Sequence, residues 1–183
     1  YKISDNYKKL PDVPVDISLI EEKVASLICE CTYKDQYVDS LILQLVALHS
    51  AADLKIVIFT DQDRASRWDY MKQMPHCWSE DKSVRFFATN LEEMKEVSSY
   101  LDDELKKRKE KLAEKKSSSS KEGEEKADTK NIYKNFDSYF LIINDNYKLG
   151  KNVPFINSLL KIPENFGFSY LVVESSMRNL PTN

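Results

Sequence analysis

Lys34 and Asp145 are the side chains through which this sequence could handle a phosphate, because each follows an apolar run that would deliver it to the end of a strand. A nucleoside triphosphatase sets a glycine-rich, lysine-bearing loop after one strand. After another it sets an Asp that holds Mg²⁺ through water, followed by a Glu that activates the attacking water. The candidate loop is Cys29-Glu30-Cys31-Thr32-Tyr33-Lys34-Asp35, and the candidate acid lies in Leu141-Ile142-Ile143-Asn144-Asp145-Asn146. With Lys34 on the phosphates and Asp145 as the acid, these residues would make a weak ATPase.

Both motifs depart from what that chemistry needs. A phosphate cradle uses glycines to enter left-handed conformations and to aim successive N–H groups at oxygen atoms. The three glycines of the chain, Gly123, Gly150 and Gly167, all lie outside the loop. Thr32-Tyr33-Lys34-Asp35 fits a capping box, with Thr32 as N-cap and Asp35 reaching back, so the helix-start amides are expected to be engaged already. A carboxylate about 5 Å from a phosphate oxygen costs roughly 3 kcal/mol at an effective dielectric near 20. Glu30 and Asp35 oppose the anion and Lys34 alone favours it.

At the second strand end, Asn144 carries no charge for a metal and Asp145 is one methylene shorter than Glu. Cys31, Thr32, Lys34 and Asp35 therefore read as a degenerate phosphate-loop position, and Asn144 and Asp145 as a degenerate metal and water position. The plain alternatives are an ordinary βα turn and a polar turn closing a strand. No catalytic residue, cofactor or metal is expected in this segment.

Other reactive groupings are weaker. Phe59-Thr60-Asp61-Gln62-Asp63 places an Asp-x-Asp at a strand end, the arrangement of an Asp-based phosphohydrolase in which one carboxylate is the nucleophile and the next the acid. Such an enzyme also needs a downstream lysine and an acidic pair, for which Asn144-Asp145 is a poor substitute. Cys29, Cys31 and Cys77 form neither an even set nor a C-x-x-C pair, so reduced thiols are expected. His76 beside Cys77 lacks the paired spacing of a zinc site.

The elements that would position these residues alternate. The 183 residues, 42% of them apolar, suit one core, and a net charge of -3 argues against a general nucleic-acid binder. No apolar run reaches the ~18 residues of a membrane span, so the segment reads as soluble. It begins with Tyr, which fits a piece of a longer chain.

Strands are expected at 23–29, 54–60, 84–88, 139–143 and 168–173. A well-buried helix is expected at 35–50 on a stripe of Tyr37, Val38, Leu41, Ile42, Leu45, Val46 and Leu48. Further helices are expected at 64–74, ending at Pro75, after Thr89-Asn90 with Leu91, Met94, Val97, Leu101 and Leu105 inward, and at 154–160. Residues 1–14 read as a linker and 15–183 as the domain. Its Ser, Glu and Lys insertion at about 112–134 has too few apolar side chains to offset the entropy of ordering. The Lys106 to Lys116 tract reads as a solvated helix face, with an anionic membrane surface as the functional alternative. Right-handed crossovers then give an α/β, RecA-like three-layer sandwich with a mainly parallel sheet of about five strands.

Leu43-Gln44-Leu45-Val46-Ala47-Leu48-His49-Ser50, the strand from Leu54 to Thr60 and above all Trp68-Asp69-Tyr70-Met71-Lys72-Gln73-Met74-Pro75-His76-Cys77-Trp78 carry a more specific likeness. With Tyr139 to Asn146, Gly167 to Ser175 and Leu180-Pro181, the chain from about Val15 to Pro181 resembles the ATPase-like coupling proteins of type VII secretion systems, within the FtsK/SpoIIIE family. The resemblance implies the membrane-proximal, non-catalytic module of a membrane-anchored motor on the cytoplasmic side. ATP and Mg²⁺ would act in its downstream modules. It also implies partners: other modules and copies of the motor, membrane components and WXG-type substrates, with no nucleic acid or small-molecule substrate. Trp68 and Trp78 read most simply as core anchors, while Arg67, Trp68, His76 and Trp78 are the candidates for an interface to a neighbouring module.

Overall fold

The computed structural model of the protein describes residues 17–118 and 136–179. Three runs rich in Ile, Val, Leu and Phe form its central strands, β2 (Leu54–Phe59), β4 (Tyr139–Asn144) and β5 (Phe168–Glu174), each buried along nearly its whole length. Strands covered on both faces are what a parallel sheet with helices on each side requires. The edges are β1 (Val24–Ile28) and the two-residue β3 (Phe87–Ala88). All pairings are parallel, in the order β1-β5-β4-β2-β3. This order brings the carboxyl ends of β1, β5 and β4 side by side, and the register sets Phe59 opposite Asn144.

The helices differ from expectation in instructive ways. Helix α1 (Lys34–Leu48) buries Val38 and Ile42, whereas Tyr37 and Leu48 are 57% and 70% exposed. The expected stripe spans more of the helix circumference than the sheet beneath can cover, so α1 is not well buried. The single helix expected at 64–74 is a 3-10 turn (Ala65–Trp68), a short α2 (Asp69–Lys72) and a second 3-10 turn (Pro75–Cys77). Its regular course is broken where the Trp68 ring turns inward, with no exposed surface. The strand expected at 84–88 contributes only Phe87 and Ala88 to the ladder, because Arg85 forms an antiparallel bridge to Trp78 instead.

Helix α3 (Leu91–Ser118) starts at Asn90, whose Oδ1 accepts the N–H groups of Glu92 and Glu93, a side-chain cap at the helix start. Met94, Val97, Leu101 and Leu105 follow inward at helical spacing. Arg108 continues that face and is only 3% exposed, which corrects the reading of Lys106 to Lys116 as wholly solvated. Its guanidinium donates to Glu104 and to the carbonyls of Phe166, Gly167 and Ser138. It also lies 4.8 to 5.1 Å from the rings of Phe136, Phe140 and Phe168. Gly167, at φ +85, is required twice over, since a Cβ there would also collide with the Arg108 guanidinium.

Helices α4 (Tyr147–Gly150) and α5 (Pro154–Lys161) lie between β4 and β5. The inserted segment at 112–134 begins as the last turns of α3, and its remainder, like the linker at 1–14, lies outside the described residues. Among the described residues no helix is long and apolar enough to cross a membrane.

Candidate functional site

The residues of the two candidate motifs lie beyond the carboxyl end of β1 and at the carboxyl end of β4, with β5 between those strands. Asn144, the last residue of β4, is fully buried. Its Nδ2 donates to the Tyr170 hydroxyl at 2.6 Å, and its Oδ1 accepts the Asn146 N–H at 3.2 Å. The α4 backbone closes over it so tightly that a Cβ on Gly150 would collide with the carboxamide. Asn144 therefore fixes the strand end from within and presents nothing to a ligand.

Asp145 faces the other way and meets a cation. Arg64 Nε donates to its Oδ2 at 2.8 Å and Nη2 to its Oδ1 at 3.2 Å, while Trp68 Nε1 donates at 2.9 Å and the Thr60 hydroxyl at 3.4 Å. The side chain is 1% exposed, so a bidentate partner with further donors is what makes its ionised form tolerable there. Burial pulls the Arg64 pKa down, but its hydrogen bonds and charge pairing with Asp145 and Asp35 raise it above the ordinary value.

The same guanidinium ties in the turn before α1. Arg64 Nη2 donates to Asp35 Oδ1 at 2.8 Å, and Arg67 Nε approaches the same oxygen at 3.3 Å. Partial burial pushes the Asp35 pKa up, yet the Arg64 hydrogen bond and the charges of Arg67, Arg64 and Lys34 hold it below the usual carboxylate range. The expected capping box is absent. Tyr33 is the N-cap and makes no side-chain bond, Thr32 is exposed, and Asp35 is drawn to two arginines that outcompete a single backbone amide.

Lys34 reaches sideways, its Nζ donating to Ser175 Oγ at 2.9 Å just past β5. Cys29 and Cys31 are joined as a disulfide, against the expectation of reduced thiols. Their Cα atoms stand 5.2 Å apart across the turn, within the span that a disulfide bridges. Cys77 is buried with its Sγ donating to Phe86 O at 3.3 Å, and the adjacent His76 sets Nε2 2.9 Å from His49 O. Among the described residues no three His, Cys, Asp or Glu side chains are grouped to hold a metal.

Asp61, the first acid of the Asp-x-Asp, accepts the Arg64 N–H on Oδ1 at 2.9 Å and Asn146 Nδ2 on Oδ2 at 2.8 Å. Each of its oxygens thus accepts one hydrogen bond, from the turn before α2 and from the residue after Asp145. Mg²⁺ with a nucleotide does not fit these residues: the loop lacks glycine, Asn144 is sealed, and Asp145 already holds Arg64.

No family model matches the sequence. Over 72 residues, 38% of this chain and 5% of the relative, it is 36% identical to the ESX secretion system protein EccC of Thermomonospora curvata. Its fold superposes with a TM-score of 0.61 on EssC (ATPases 2 and 3) from Geobacillus thermodenitrificans, at 15% identity over 88% of this chain and 30% of that one. A structure of the cytoplasmic domain of EssC gives 0.58, at 15% identity over 86% and 30%. The likeness in sequence is to EccC over 72 residues, and the likeness in fold is to the EssC ATPases.

Within this EssC/EccC-like frame the proposed interface residues are placed unequally. Trp68 is enclosed and bonded to Asp145, so its ring has no surface to offer. Arg67 stacks over it at 4.1 Å and donates to Asp35 O at 2.8 Å and Asp39 Oδ1 at 3.1 Å, binding α1 to the segment before α2. His76 is buried, whereas Trp78 is half-buried, with Nε1 on Lys72 O at 3.1 Å and the Arg85 guanidinium 4.6 Å from its ring. The sequence reading missed Arg64, which organises the whole corner. One signal could have found it: a buried acid at the end of β4 needs a cation, and Arg64 lies just past the end of the neighbouring β2.

Proposed function

We propose that this chain is a non-catalytic, ATPase-like module of a type VII secretion motor, one that keeps the sandwich as a rigid connector and leaves ATP hydrolysis to other modules. The observation that carries the reading is the Arg64–Asp145 pair. The guanidinium supplies the positive charge that a hydrated metal would bring to an acid at this strand end. Mg²⁺ would have to displace Arg64 from both oxygens of Asp145 before it could bind there.

In this role the module lies on the cytoplasmic face of the membrane and transmits alignment between the membrane stalk and the ATP-hydrolysing modules, where ATP and Mg²⁺ act. Its partners are other modules and copies of the motor, together with membrane components and WXG-type substrates. The weakly active alternative would use Lys34 and Asp145, which are held by Ser175 and by Arg64.

Titration of the chain with a fluorescent ATP analogue and Mg²⁺ separates the two. No saturation below millimolar nucleotide is expected, and saturation at micromolar nucleotide that Lys34→Ala abolishes would overturn the proposal.

A further inference from the structure

We infer that Cys29 and Cys31 form a thiol–disulfide exchange site that sets how firmly the first turn of α1 is held. The two sulfurs are bonded within the turn between β1 and α1. Cys29 still belongs to the sheet, its N–H donating to Glu174 O at 3.1 Å just beyond the last residue of β1. Cys31 stands in solvent. One sulfur is anchored and the other open to attack, and exposed disulfides are the labile ones. Cys77 cannot compete, because it is fully buried and burial pushes its thiol up to about 12.

The geometry also gives the exchange a direction. A thiolate of a thiol reductant such as glutathione attacks Cys31 Sγ, the S–S bond breaks, and Cys29 leaves as a thiolate onto which the Cys31 N–H is already aimed at 3.1 Å. A second reductant thiolate then attacks the reductant sulfur of the mixed disulfide, the bond to Cys31 breaks, and the two reductant sulfurs depart as a disulfide. Two electrons pass to the protein, and the two protons of the reductant end on Cys29 and Cys31. A disulfide oxidant runs the same steps backwards.

What the bridge controls follows from how lightly α1 is held. The helix buries Val38 and Ile42 and has no side-chain cap, and its first backbone contact, Lys34 N–H to Cys31 O, is long at 3.4 Å. Tying Cys31 to the sheet-anchored Cys29 fixes where the helix begins. Reduction releases Cys31 to Lys34 and loosens Asp35, which shares Arg64 with Asp145. The redox state of the surroundings is thereby coupled to the corner where the three strand ends meet.

The test compares two forms of the wild-type chain and so does not depend on a variant folding. The protein is equilibrated in glutathione buffers from reduced to oxidised, alkylated and weighed, and amide exchange is followed in parallel. Expected are paired loss of alkylation at Cys29 and Cys31 on oxidation, none at Cys77 in either form, and exchange over residues 34–38 faster by about threefold or more on reduction, as befits a local opening. The Cys29→Ser, Cys31→Ser double variant should show the reduced-form rate in every buffer. Full alkylation of both cysteines in oxidised glutathione, or exchange rates over 34–38 that do not differ between the forms, would overturn the inference.

Discussion

Arg64 grips Asp145 through both carboxylate oxygens, across a sequence separation of 81 residues, at the corner where the start of α1 meets the end of β4. Because the same guanidinium also holds Asp35, the turn after β1 and the end of β4 behave as one unit.

Arg64→Met leaves Asp145 charged and buried without its counter-ion, so unfolding in urea should show a loss of about 3–5 kcal/mol. Adding Asp145→Leu removes the stranded charge and should restore a large part of that loss, whereas additive losses in the double variant would show that the pair is not coupled.

Asp35 makes stability depend on pH on the acid side. Its folded pKa lies below its unfolded one, so its contribution is present above the unfolded value, about 4, and is lost as pH falls through the folded value. Urea midpoints measured from pH 6 down to pH 2.5 should therefore fall, and Asp35→Asn should flatten part of that fall while lowering the neutral-pH midpoint. An unchanged slope in the variant would remove Asp35 from the account.

Gly167→Ala should cost about 2–4 kcal/mol, combining a strained positive φ with displacement of a buried arginine. Arg108→Lys should not fold more stably than Arg108→Met by any wide margin, because a single ammonium cannot reach Glu104, Ser138, Phe166 and Gly167 together. Thermal melts of the three variants check both statements. A neutral Gly167→Ala would mean that Arg108 moves aside freely.

The charge-poor runs at 54–60, 139–144 and 168–174 determined the central strands, since so many adjacent β-branched and aromatic side chains can be covered only between two helical layers. The ends of β1 and β4 were equally legible, because each apolar run stops at a polar turn. The partners were not. That Asp35 turns to Arg64 rather than to its own helix start, and that Arg108 is buried among phenylalanines within a lysine-rich tract, depends on which strand ends lie together. The pairing of Phe59 with Asn144 brings Thr60 and Asp61 beside Asp145, and no local pattern of charges contains that register. Tertiary structure chose the counter-ion, because a buried carboxylate takes the nearest fork of donors in space, wherever in the chain that fork is encoded.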